Sequence, residues 1–158
     1  MDTMKIIFQD FDGVLNSHKW IGANQHLFKA QQLFMHTDVD PEAVARLQRI
    51  VDATGAKVVV SSTWRLFNSL ASLRATLAKA GFDGEVIGKT PQLGGPRGLE
   101  IQEWLNNNGP IESFVILDDD SDMVHLKNKL VQTSFDDGLQ DEHVEAAIKL
   151  LGVTEVKF

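Results

Sequence analysis

The chain of 158 residues contains no cysteine. This excludes a disulfide framework, a thiolate-held zinc or iron–sulfur centre and a thiol nucleophile. Apolar runs are short, none approaching the ~20 residues a membrane-spanning helix needs. Positive charge is scarce: 15 Lys and Arg stand against 22 Asp and Glu, a formal charge of −7. Such a field repels long nucleic-acid tracts on average, because non-specific affinity comes from cations neutralising phosphates. There is no internal repeat, low-complexity tract or linker. With 43% apolar and 23% charged residues the composition is that of a globular chain. Its length predicts one domain, residues 1–158. The opening MDTMKIIF has a short apolar stretch and no small-residue cleavage site, so it reads as no signal peptide and predicts a cytoplasmic protein with no membrane partner.

Apolar segments of two kinds alternate. KIIF (5–8), KVVV (57–60) and FVIL (114–117) are continuous apolar runs, as expected of strands covered on both faces. EVIG (85–88) and LVQT (130–133) read as shorter strands. Between them lie helical patterns. Asp40-Pro41 opens one as N-cap and first helical residue, with Val44, Leu47, Ile50 and Val51 at helical spacing and Gly55 as its stop. Further helices are predicted over about 67–80, after Pro96 with Ile101, Trp104 and Leu105, over about 122–129, and through Val144, Ala147, Ile148 and Leu151. This alternation predicts an α/β fold, a Rossmann-like parallel sheet with helices on both faces. Residues 16–38 break the alternation and read as a small, partly helical insert over the carboxyl edge of the sheet.

In an open parallel sheet ligands bind beyond the carboxyl ends of the strands. KIIF runs into Gln9-Asp10-Phe11-Asp12-Gly13-Val14-Leu15-Asn16, KVVV into Ser61-Ser62-Thr63-Trp64-Arg65, and FVIL into Asp118-Asp119-Asp120-Ser121-Asp122. Two facing acidic groups would raise each other's pKa, a conflict that a divalent cation removes. Hard, all-oxygen ligands suit Mg²⁺, which takes one or two carboxylates together with substrate phosphate. A metal-bound phosphate beside a carboxylate two residues from another carboxylate suggests phosphoryl transfer: one acid attacks phosphorus and the other shuttles the proton.

Asp10-Phe11-Asp12-Gly13-Val14-Leu15 resembles the first motif of the haloacid dehalogenase-like phosphohydrolase superfamily. Ser61 stands where that superfamily has Ser or Thr, Arg97-Gly98 where many members have Lys-Gly, and Asp118-Asp119 with Asp122 completes the set in order. More narrowly, DPEAVARLQRIVDATGAKVVVSSTWR, RGLEIQEWL, VILDDDSDM and LVQTSFDDGL are similar to the branch found in Swiss Army Knife RNA repair proteins. The resemblance implies Asp10 as the nucleophile that forms an aspartyl-phosphate and Asp12 as general acid, then base. It implies Mg²⁺ held by Asp10, the Asp12 backbone carbonyl and Asp118, supported by Asp119 or Asp122. It assigns Ser61 to a phosphoryl oxygen and Arg97 to offsetting charge on the transferring group, with Lys89 and Arg65 as rivals for that role. Gly13 is a position of close backbone approach or positive φ. The implied substrate is phosphorylated: a nucleotide or a nucleic-acid end. Nothing in the sequence specifies an oligomeric state.

Several residues admit plainer readings. Ser61 is also a candidate helix N-cap, which would leave Ser62 as the phosphate donor. Arg65 could simply lie along the sheet. Trp64 and Trp104 read as core, and Trp20 as packing or as a base-stacking surface. Asp118, Asp120 and Asp122 have the spacing of a calcium loop, but Met123 and Lys129 occupy its required Gly and Glu positions. A receiver domain would carry its phosphoacceptor after a middle strand, which here ends in Ser61-Ser62. A phosphoprotein substrate, or a non-catalytic phosphate- or partner-binding module, are the alternative functions.

Overall fold

A computed structural model describes residues 3–24 and 38–154. Five parallel strands form one sheet: β1 (Met4–Gln9), β2 (Lys57–Val60), β3 (Val86–Lys89), β4 (Ile111–Asp118) and β5 (Leu130–Gln132), in the order β3-β2-β1-β4-β5. The α-helices are α1 (His18–Ala23), α2 (Pro41–Thr54), α3 (Leu70–Lys79), α4 (Arg97–Asn107) and α5 (Asp141–Leu151). Side-chain alternation along the buried strands divides the core in two. Ile7, Val58, Val60, Val115 and Leu117 face α2, α3 and α5, while Ile6, Phe8, Val59 and Ile116 face Ile101 and Trp104 of α4 with Met123 and Leu126. The expected α/β, Rossmann-like sheet with helices on both faces is the fold observed.

Local signals set most boundaries. The Asp40 side chain accepts the Glu42 backbone N–H at 2.9 Å and Pro41 takes the first helical position, while Gly55 ends α2 at φ 72°. The helix expected over about 67–80 is α3, starting at Leu70 under the Ser69 cap, and a separate 3-10 turn (Thr63–Leu66) capped by Ser62 precedes it. Each serine accepts a backbone N–H and so sets a helix start of its own. The segment expected as a helix over 122–129 is a 3-10 helix (Val124–Lys129). The third strand lies one residue later than expected and ends at Lys89.

Of the insert, α1 is described, and residues 25–37, with His26, Phe28, Lys29, Phe34 and His36, lie outside the described residues. Helix α1 is anchored to the turn after β5. The His18 and Lys19 backbone N–H groups donate to the Phe135 and Asp136 carbonyls at 2.8 and 3.2 Å, and their side chains meet Asp136 and Asp137. That turn closes at Gly138, φ 71°.

Candidate active site

Register brings the site together. Phe8 pairs with Val59 on one side and Ile116 on the other, all three facing α4. Two residues further along each strand are Asp10, Ser61 and Asp118. The ladder continues that far: the Asp10 N–H donates to the Leu117 carbonyl and the Ser61 N–H to the Gln9 carbonyl, each at 3.0 Å. With a period of two, these three residues stand level and on the α4 face. The position lies at the carboxyl edge where β1 and β4 part in topology, the expected place for a ligand in a doubly wound sheet.

Asp10 and Asp118 are buried, at 4% and 0% exposure. Together with Asp119 they offer carboxylate oxygens all within 4.8 Å of one another, the one such acidic group among the described residues. Arg97, the first residue of α4, places Nη1 2.7 Å from Asp118 Oδ2 and 3.2 Å from Asp10 Oδ1. Burial, then the charge of Asp118, hold the Asp10 carboxyl well above its ordinary range, and Arg97 offsets only part of this. Burial and Asp118 likewise raise Asp119. Burial alone would lower the Arg97 guanidinium, but Asp10 and Asp118 outweigh it and hold the guanidinium more firmly charged than usual.

Three carboxylates against one guanidinium leave two negative charges when all are ionised. The donors are hard oxygens, spread over a distance comparable with the ~4 Å across an octahedral Mg²⁺ shell. These residues fit a divalent cation, and Asp10, Asp118 and Asp119 are the side chains that would hold it. Asp122 stands apart. It is exposed, its carboxylate accepts the Arg97 backbone N–H at 3.1 Å, and its carbonyl accepts that of Gly98 at 3.1 Å. It therefore anchors the start of α4 beside the cluster.

The two serines divide the roles left open by the sequence. Ser62 caps the 3-10 turn, its Oγ accepting the Trp64 N–H at 3.2 Å. Ser61 is fully buried and its Oγ has no hydrogen-bond partner. An orphan hydroxyl inside a protein costs free energy unless something meets it, so Ser61 is the hydroxyl available to an incoming oxygen. Arg65 is fully engaged. It donates through Nε to the Thr90 carbonyl (2.9 Å), through Nη1 to the Ser61 and Ser62 carbonyls (3.2 and 2.9 Å), and through Nη2 to the Pro91 carbonyl (3.2 Å) and Glu100 (2.9 Å). All five N–H donors are used. It ties the end of β2 to α4 and the 90–91 loop. Lys89 is exposed, its Nζ 3.3 Å from the Arg65 carbonyl. Of the three candidate cations, Arg97 is the one whose contacts lie on the acidic group.

Two glycines permit the approach of these parts. Gly13 has φ 82°, and a Cβ there would lie 2.4 Å from Asp119 Oδ2. A Cβ on Gly98 would lie 2.1 Å from the Met123 carbonyl oxygen, so only glycine lets the first turn of α4 rest on the 122–123 backbone and carry Arg97 to Asp118. Gln132, the last residue of β5, donates to the Asp119 carbonyl (3.1 Å) and Thr133 Oγ1, just after it, to the Gly13 carbonyl (2.6 Å), bracing both acidic loops.

Asp12 stands slightly apart and is half-buried. Its Oδ1 accepts the Asn16 amide at 2.9 Å and its Oδ2 the Trp64 indole N–H at 3.1 Å. Trp64 therefore does more than fill core, and neither it nor Asn16 was singled out from the sequence as a site residue. Their only sequence signal was proximity: each lies within a few residues of a motif position.

The molecule is thus a Rossmann-like α/β domain with a buried acidic group, an orphan hydroxyl and a guanidinium at its switch point. Residues 6–144 match the family described as the HAD domain in Swiss Army Knife RNA repair proteins, and the chain belongs to that family. Membership implies a phosphohydrolase-type function, in keeping with the acidic cluster. No curated protein and no solved structure gives a significant match. No described helix is long and apolar enough to cross a membrane.

Proposed function

We propose that the protein is a Mg²⁺-dependent phosphomonoester hydrolase that works through an aspartyl-phosphate on Asp10. The observation carrying this reading is the junction of Asp10, Asp118, Asp119 and Arg97 beside the unpartnered Ser61 hydroxyl. A bound Mg²⁺ supplies positive charge that keeps the acidic side chains ionised and withdraws electrons from the phosphoryl group.

The chain's own groups do the rest. An Asp10 oxygen bonds to phosphorus as the ester oxygen departs, and Asp12 gives that oxygen a proton. Water then attacks phosphorus, Asp12 takes the water's proton, and the Asp10 carboxylate leaves, releasing inorganic phosphate. Ser61 donates to a non-bridging phosphoryl oxygen, and Arg97 offsets charge on the transferring group. Burial and Asp118 make Asp10 a poor anion unless positive charge is near, which is the physical reason for pairing this nucleophile with a cation.

The family's association with RNA repair favours a phosphate at a nucleic-acid end, or a nucleotide, as substrate. An end presents few phosphates, so the −7 charge of the chain opposes it far less than a long tract. The test is hydrolysis of p-nitrophenyl phosphate with and without Mg²⁺, by the wild type and by Asp10→Asn and Asp12→Asn. A phosphate-release screen of nucleotides, phosphorylated oligonucleotide ends and phosphopeptides follows. Turnover surviving both substitutions would refute the mechanism, and preference for phosphopeptides would refute the substrate class. Stabilisation by Mg²⁺ with beryllium fluoride, without turnover on any ester, would instead mark a binding module.

A further inference from the structure

We propose that Trp64 is a positioning residue for Asp12. With Asn16 it grips both carboxylate oxygens, and proton delivery to the leaving oxygen depends on that grip. The inference rests on the acid–base role given to Asp12 above. It is carried by the geometry around that carboxylate, which the acidic cluster does not explain.

Each Asp12 oxygen faces one donor that cannot accept. An indole N–H only donates, and the Asn16 amide is oriented by a third bond: its Oδ1 accepts the Gly13 backbone N–H at 3.1 Å, which leaves Nδ2 to donate to Asp12. The amide therefore has one consistent orientation, and the Asp12–Gly13–Asn16 turn is closed on itself.

Trp64 is equally constrained. It is 8% exposed, its ring packs on Phe11 with centroids 4.9 Å apart, and its own backbone N–H is held by Ser62. Phe11 is the residue between Asp10 and Asp12, so the ring rests on the loop whose carboxylate its N–H holds. If Trp64 were only core, an indole N–H would be a burden there, because a buried one needs an acceptor. Its acceptor is a side chain of the proposed machinery. Asp12 lies outside the group formed by Asp10, Asp118 and Asp119, so its side chain is restrained by these two donors and not by that group. The Ser61–Arg65 segment thus supplies the orphan hydroxyl, its own cap, the donor to Asp12 and the arginine brace within five residues.

The test compares esters that differ in their need for a proton. p-Nitrophenolate departs without protonation, whereas the alkoxide of glycerol 2-phosphate does not. The ratio kcat/KM is read because it reports steps up to release of the first product and is blind to the later attack of water. Trp64→Phe keeps the ring and removes the donor. It is expected to lower kcat/KM for glycerol 2-phosphate at least about 10-fold, a part of the 10²–10⁴ that general acid catalysis supplies in full, while p-nitrophenyl phosphate changes by under about threefold. Asn16→Ala, which removes the opposite donor, should steepen the leaving-group dependence in the same direction and serves if Trp64→Phe fails to fold. A second readout needs no turnover: the Trp64 indole N–H resonance should move in Asp12→Asn. Equal losses on both esters, no loss on either, or an unmoved indole resonance would overturn the positioning role while leaving the phosphatase reading intact. A wild type that hydrolyses neither ester would overturn both.

Discussion

Gly98→Ala adds one methyl group, and the structure gives its consequence. The new Cβ would lie 2.1 Å from the Met123 carbonyl oxygen, 2.4 Å from its carbonyl carbon and 2.8 Å from its Cα. All three are backbone atoms, so no side chain can swing away. Ordinary non-bonded contact requires about 3.5 Å or slightly less, so α4 and the 122–123 segment must separate by roughly 1 Å. Alanine gains at most about 1 kcal/mol of helix propensity over glycine, while overpacking of this kind costs about 1–3 kcal/mol. The expected net loss is about 0–3 kcal/mol in urea unfolding. Activity should suffer more. Arg97 precedes Gly98, and its guanidinium sits 2.7 Å from Asp118 and 3.2 Å from Asp10. A shift of about 1 Å lengthens both contacts, and misplacement of that size costs on the order of 10² in rate. The assay is kcat/KM for p-nitrophenyl phosphate with Mg²⁺. Gly95→Ala, where a Cβ meets nothing within 4 Å, is the control. A Gly98→Ala protein as active as the control would refute the account of how Arg97 is placed.

Further outcomes follow from the same geometry. Ser61→Ala removes a buried hydroxyl without a partner; stability should hold or rise by up to about 1 kcal/mol, while kcat/KM falls about 10²-fold, and a fall in stability of that size would show the hydroxyl to be bonded. Arg97→Ala should lose about 10²–10³ in kcat/KM, with Arg97→Lys recovering most of it by restoring a point charge; equal activity of all three would remove Arg97 from the chemistry. Arg65→Lys replaces five donors by three, so at least two acceptors lose their partner, one or both of them buried. Urea unfolding should register a loss of about 2–4 kcal/mol, and a change under about 0.5 kcal/mol would show the brace to be slack. The last outcome concerns pH. Burial and Asp118 hold Asp10 and Asp119 above the ordinary carboxyl value of 3.8, so the folded chain retains protons that the unfolded chain has released. Without a divalent cation, stability should therefore fall as pH rises from 3.8 through the raised values. Mg²⁺ binds the deprotonated set, so the rise in Tm it causes should be larger at about pH 8 than at about pH 5; a pH-independent rise would refute this.

Much of this architecture is legible in the sequence, for identifiable reasons. KVVV is a strand at the residues expected because three consecutive apolar positions without alternation suit a strand covered on both faces. Asp40-Pro41 and Gly55 bound α2 because capping chemistry is local. Asp10 and Asp118 are recognisable as candidates for one site because both lie within two residues of the carboxyl end of a predicted strand. The boundaries missed involve competition between similar signals: Ser62 and Ser69 each cap a helix, and the chain between them leaves the helical path. Leu99 of α4 is 44% exposed while Gly98 and Glu100 on either side of it are buried, so an apolar residue here lies off the buried face of the helix.

What the linear chain determined by itself was the inventory: strands that end in acids and a hydroxyl, helices with their caps, and an order that places these ends on one edge. Local propensity and side-chain period act over a few residues, so they can be read locally. Tertiary structure decided the assignments. It left the Ser61 hydroxyl unpartnered and used Ser62 as a cap, engaged all five donors of Arg65, drew Arg97 onto two carboxylates 87 and 21 residues away in the chain, as the difference in residue numbers shows, and turned Trp64 toward Asp12. A donor has only as many partners as the packed chain brings within about 3 Å. That partnership is set by how β1, β2, β4 and α4 converge, which no stretch of sequence contains.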